Sequence, residues 1–223
     1  MPESQLATTR FAEMPIGEIA ARLPGATALF RHYKLDYCCG GASTLQSAAA
    51  RRGLDVAEVE DRLAALNQPM MAASDDPDDL IEFILSRYHE THRRELAELR
   101  KLAQRVEQVH ADHPEAPLGL TAFLAELDEE LDAHMQKEEA ILFPMMRAGS
   151  PMVVGPIAVM MSDHEEHARS LEKLEALAHG MEAPPEACGS WRALYSGLRK
   201  LSDDLKDHIH TENNVLFPQF SGR

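Results

Sequence analysis

Two stretches of this chain repeat one another: HMQKEEAILFP at residues 134–144 and HIHTENNVLFP at residues 208–218. Both read His-x3-Glu-x3-Leu-Phe-Pro, and each has an acidic residue four positions upstream, Glu130 or Asp204. A second pair of segments, HETHRREL (89–96) and HEEHARSL (164–171), also matches. Both begin His-Glu-x-His and place Leu seven residues after the first His. The interval from His89 to His134 is 45 residues and that from His164 to His208 is 44. The chain therefore delivers a His and then a His-x3-Glu twice over. That order requires two similar hairpins related by a pseudo-twofold axis.

The spacing dictates the chemistry. Residues four apart on a helix share one face, about 6 Å apart along the axis. His134 and Glu138 then point inward together, as do His208 and Glu212, and they meet His89 and His164 in the interior. Two carboxylates buried side by side repel each other and are costly to strip of water. A pair of divalent cations roughly 3.5–4 Å apart relieves both problems by carboxylate bridging. Each cation would receive two imidazole nitrogens and two bridging carboxylate oxygens. An oxo or hydroxo bridge would add a fifth ligand and leave one position open. Nitrogen and oxygen donors with an open site suit non-haem iron better than a closed structural zinc site, although the spacing alone admits manganese. Glu130 and Asp204 are expected to accept hydrogen bonds from His134 and His208, one turn away. His92 and His167 lie three residues after ligand positions and are weaker candidates. His32, His110, His113, His179 and His210 are expected at the surface.

The rest of the chain supplies the scaffold. Leu and Ile recur at three- and four-residue steps over roughly 78–111, 119–146, 156–180 and 188–215, with prolines at the breaks. Four long helices with short connections make an antiparallel bundle. The segment QPMMAASDDPDD (68–79) interrupts the pattern and reads as a linker, with Asp75 or Asp76 capping a helix that opens on Pro77. The boundary is placed near residue 76, giving a small helical domain (1–75) and the bundle (76–223). The small domain shows helical patterns after Pro15, after Pro24, from Ser43, where Gln46 has capping-box spacing, and from Asp55 to Leu66. The fold class is all-α.

Aromatics are only 5% of residues, which favours helix over sheet. The net charge of −15 and the lack of a basic cluster argue against nucleic acid and against anionic membrane surfaces. No apolar run approaches the roughly 18–20 residues that cross a bilayer. The start shows no basic and then apolar signal pattern, so a cytoplasmic location is expected. Three cysteines do not make a disulfide framework. Cys38 and Cys39 are adjacent, and adjacent cysteines form only a strained disulfide. With Gly40 and Gly41 opening the backbone, they suit iron or thiol transfer; the alternative is a pair of small apolar residues in a turn. Cys188 is read as incidental.

At these motifs the chain resembles the repair of iron centres family, the YtfE/ScdA-type di-iron proteins with a hemerythrin-like bundle. The resemblance is carried by ALFRHYKLDYCCGG, TLQSAAARRGLD, RYHETHRRE, HMQKEEAILFPMM, VMMSDHEEH and DHIHTENNVLFP. It implies two iron ions held by His89, His134, Glu138, His164, His208 and Glu212. It also implies repair of iron–sulfur clusters after nitrosative or oxidative damage, by supply of iron to damaged iron–sulfur proteins. The alternative it implies is a nitric oxide reductase forming nitrous oxide; an oxygen carrier or sensor ranks third, because position 168 is alanine where carriers have a further histidine. Glu130 and Asp163 match acidic positions that line a path for iron or small ligands or stand behind the ligands, with Asp163 one methylene shorter than the expected glutamate. Either a monomer or a homodimer is compatible with the chain.

Overall fold

The computed structural model describes residues 11–66 and 76–220. The chain divides into two compact units, one on either side of residues 67–75. The expected linker falls largely on residues outside the described ones. No β-strand is formed among the described residues; one isolated bridge pairs Pro15 with Thr44.

The first unit packs four short helices, α1 (Ile16–Arg22), α2 (Ala26–His32), α3 (Leu45–Arg51) and α4 (Val56–Ala65). Their shared core is Ile16, Ile19, Phe30, Tyr37, Leu45, Val59 and Leu63. The third helix is capped one residue later than expected. Thr44, not Ser43, accepts the Ser47 N–H at 3.2 Å, because the Ser43 backbone carbonyl is already used by the Ile16 N–H at 2.9 Å. Asp55 caps α4 through the Ala57 N–H.

The second unit is the bundle. Helix α5 (Pro77–Ile84) is capped by Asp76, whose Oδ1 accepts the Asp78 N–H, and it runs on through residues 85–89 into α6 (Glu90–Val109). Then follow α7 (Leu120–Lys137), α8 (Phe143–Arg147), α9 (Val154–Leu177) and α10 (Gly189–Thr211). Helix α6 packs on α7 and α10, and α9 packs on the same two. Thus α6 faces α9 across the bundle and α7 faces α10. Two apolar layers result. One contains Leu96, Leu127, Leu131, Leu171, Leu201 and Leu205. The other contains Ile81, Ile84, Phe143, Ile157, Leu216 and Phe217. The histidines and glutamates singled out above lie between them. Burial of these leucines supplies most of the stabilisation, at roughly 25 cal/mol per Å² of apolar surface.

The α6–α10 contact depends on a small residue. A Cβ built on Gly197 would stand 2.6 Å from Leu99 Cδ2. We expect Gly197→Val to destabilise the bundle by about 1–3 kcal/mol, the usual cost of overpacking. Adding Leu99→Ala should recover part of that loss. Denaturant melts check both, and an unchanged midpoint in the single variant would refute the close approach.

Candidate metal centre

Each glutamate begins a turn of π-helix. The Phe143 N–H bonds to the Glu138 carbonyl and the Phe217 N–H to the Glu212 carbonyl, five residues back. The Leu-Phe-Pro triplets explain why: Pro144 and Pro218 lack an N–H and would clash with the carbonyl four residues earlier in regular α-helix. Widening by one residue avoids that clash and turns both glutamates into the interior. A third π turn, closed by the Glu90 N–H on the Leu85 carbonyl, ends at His89. Such turns recur at functional sites.

Glu138 and Glu212 come from opposite helices and are both 0% exposed. The two oxygens of Glu138 divide between two histidines, with Oε2 3.3 Å from His89 Nε2 and Oε1 3.3 Å from His134 Nε2. Glu212 does the same: Oε2 lies 3.1 Å from His164 Nε2 and Oε1 3.2 Å from His208 Nε2. Two donor groups follow, each with ligand atoms within 4.8 Å of one another. One is His89, His208, Glu138 and Glu212; the other is His134, His164, Glu138 and Glu212. Both carboxylates belong to both groups, and each group takes one imidazole from each hairpin. The structure brings together all six residues of the repeated motif.

The donors fit metal ions. His89 Nε2, both oxygens of Glu138 and Oε2 of Glu212 are buried without a hydrogen-bond partner of good geometry. Buried polar atoms are rarely left so, and four such atoms converging on one region need cations. Electrostatics agrees. Burial alone would lower the His134 pKa, but the charges of Glu138 and Glu212 and the contact with Asp163 overcome it and raise the group to about 9. Burial likewise opposes ionisation of Glu212, yet His208 and His164 hold it well below the usual carboxylate range. In the metal-free protein, protons on His89 and His134, both raised by the glutamates against the effect of burial, offset part of the carboxylate charge, while burial holds His208 low.

The residues that orient the ligands differ in part from expectation. His89 Nδ1 donates to Glu139 Oε1 at 2.8 Å, and Arg93 Nη1 bonds to the same oxygen at 2.8 Å. His134 Nδ1 lies 3.3 Å from Asp163 Oδ2, which also receives Lys137 Nζ. His164 Nδ1 meets Asn213 Oδ1 at 2.9 Å. His208 Nδ1 has no such partner, and its ring stacks on Tyr88 with centroids 4.9 Å apart. Glu130 does not orient His134: it is exposed and accepts from Ser170 Oγ. Asp204 does not orient His208: it is bound by Arg87 and Lys200. The reason is geometric. A ligand that gives Nε2 inward points Nδ1 sideways, toward the neighbouring helix, so a residue one turn away on its own helix cannot reach it. Glu139 and Asn213 each directly follow a ligand glutamate, and that shared offset in the repeat is the signal that could have found them.

His92 and His167 are buried but belong to neither donor group. His167 lies against His134, with centroids 4.7 Å apart, and His92 lies near His208 at 5.4 Å. Burial, and then the positive charge of the neighbouring imidazoles, push both pKa values down, His167 to about 3, so both are neutral. His210, expected at the surface, is buried and meets Asn214. His110 is half-buried, 3.2 Å from Cys188 Sγ and packed on Trp191.

In the first unit, Cys38 is buried, Cys39 is half-buried, and neither is in a disulfide. With Asp36 they form a third group of donor atoms within 4.8 Å of one another.

A four-helix bundle with a buried His/Glu donor pocket defines the hemerythrin-like class. The chain belongs to that family: the model of the hemerythrin HHE cation binding domain matches residues 80–220, and a domain of unknown function, DUF542, matches residues 12–67. Among curated relatives, the iron–sulfur cluster repair protein YtfE of Escherichia coli O8 (strain IAI1) is 49% identical over 213 residues, covering 94% of this chain and 97% of that protein. The protein of the same name from Shigella boydii serotype 4 (strain Sb227) matches equally well.

Two expectations follow. Metal ligands must be deprotonated, so uptake at about pH 7.5 should release about one proton per chain or more, largely from His134. Release should fall as pH rises through about 9. In the metal-free protein His134 stabilises the fold in full below its unfolded value of 6.5, and that contribution is lost as pH rises through about 9. Indicator-dye titration with ferrous iron checks the release; no proton release at about pH 7.5 would contradict the assignment. Separately, Glu139→Gln should weaken metal retention by about 10–100-fold, as loss of a ligand-orienting group does, while Glu130→Gln leaves it unchanged. Competition with a chelator separates the two.

Proposed function

We propose that the bundle holds two iron ions and that the protein serves the repair of iron–sulfur clusters damaged by nitrosative or oxidative stress, with ferrous iron as the cargo. The observation that carries this reading is the composition of the pocket: two carboxylates and four imidazoles, with each carboxylate shared by both donor groups. Two divalent cations bring four positive charges, and the two carboxylates cancel half. An under-compensated charge inside a low-dielectric core favours release. When bound, iron would supply open coordination positions and reversible one-electron chemistry. Glu138 and Glu212 would hold the pair together, while Glu139, Asp163 and Asn213 keep each imidazole in the tautomer that offers Nε2 inward.

The YtfE relatives support the repair reading, since their name states that activity. No helix among the described residues is long and apolar enough to cross a membrane. All three cysteines are thiols, which suits a reducing compartment such as the cytoplasm. The partners would be iron–sulfur proteins whose clusters have lost iron.

The test uses the iron-loaded full chain and a dehydratase whose cluster has been damaged by nitric oxide. Recovery of dehydratase activity should exceed that produced by the same concentration of free ferrous iron, and Glu212→Ala should abolish the excess. Equal recovery from free iron would overturn the proposal. Formation of nitrous oxide without recovery would point instead to a nitric oxide reductase.

A further inference from the structure

The turn that follows α2 contains the group Asp36, Cys38 and Cys39. Asp36 Oδ1 accepts the Cys39 backbone N–H at 3.0 Å and lies 3.4 Å from Cys38 Sγ. One carboxylate thus grips both cysteines. The turn is shaped to allow this. A Cβ on Gly40 would stand 2.8 Å from the Asp36 carbonyl and 2.9 Å from its Oδ2, so only glycine fits there. All three donor atoms lie within 4.8 Å of one another. A tetrahedral ion with metal–sulfur bonds of roughly 2.3 Å spaces its ligand atoms by roughly 3.8 Å, so they need only small rotations to surround one. Asp36 is exposed and Cys39 half-buried, which leaves an approach from solvent, while Cys38 forms the buried wall.

We propose that Asp36, Cys38 and Cys39 bind a single borderline divalent cation through two thiolates and one carboxylate, with the remaining coordination position open to solvent. In the metal-free turn the Cys38 thiol donates to Asp36, and the ion replaces that proton. Both thiol protons leave to solvent. Ferrous iron and zinc share the preference for such a mixed sulfur and oxygen set. The proposal stands on this turn alone and holds whether or not the bundle supplies iron to damaged clusters. If the ion is ferrous iron, the turn is a way-station with softer ligands than the bundle.

Anaerobic titration of the reduced full chain with cobalt(II) tests it. The bundle pocket has only nitrogen and oxygen donors, so a sulfur-to-cobalt charge-transfer band reports on cysteine alone. The band should saturate at about one ion per chain and persist in Cys188→Ser. It should vanish in Cys39→Ser. In Asp36→Asn, which keeps an acceptor for the Cys39 N–H, affinity should fall by about tenfold or more. A chase with ferrous iron or zinc ranks the two ions at this turn by the concentration that displaces cobalt. Circular dichroism confirms that the variants fold. Absence of the band, saturation at one ion per two chains, or an Asp36→Asn affinity equal to wild type would each overturn the proposal.

Discussion

The bundle is organised around two carboxylates that have no solvent and too few hydrogen bonds. An isolated buried carboxylate costs several kcal/mol even after the protein relaxes, and here two stand in one pocket. The chain answers with four imidazoles at 3.1–3.3 Å from the carboxylate oxygens. Imidazole can take a proton or offer a lone pair to a metal, so the same six residues are balanced in two ways. Protons on histidine serve when metal is absent and cations serve when it is present. A lysine or arginine in place of any of the four would balance the charge permanently and close the pocket to metal.

This arrangement makes demands on the helices that regular α-geometry does not meet. Regular helix would run into Pro144 and Pro218, six residues after the glutamates. The π turns absorb that conflict at the positions where the glutamates must turn inward. The three residues holding Nδ1 atoms all reach across an interface between neighbouring helices: Glu139 from α7 side to α6, Asp163 from α9 to α7, and Asn213 from the end of α10 to α9. Helix packing and ligand orientation are therefore one constraint. His208 is the exception: its Nδ1 has no hydrogen-bond partner and its ring stacks on Tyr88, so that side of the imidazole is held by shape.

Much of this was legible in the residues. The six donors stand out because the motif occurs twice and because no other bundle pattern explains a glutamate at a position that apolar periodicity marks as buried. The four long helices follow from the leucine spacing and the prolines. What was not legible depends on packing between helices. Glu130 and Asp204 sit one turn from a ligand and look suitable along the chain, but the direction of Nδ1 is set by the neighbour, which a single helix does not encode. The π turn ending at His89 has no proline and leaves no mark in the sequence. His210, expected at the surface, is buried because α10 is covered over more than one face.

The two units differ in donor type, and that difference has chemical consequences. The bundle offers nitrogen and carboxylate oxygen, with every donor buried and each histidine braced from outside. The turn at residues 36–40 offers sulfur and one carboxylate on a short loop whose shape depends on Gly40. Sulfur donors exchange faster with incoming thiols than imidazole does with any competitor of its own kind, because thiolate is both ligand and nucleophile. A chain that carries both kinds of donor offers a cation two chemically distinct settings. The acidic surface, at a net charge of −15, draws cations toward either.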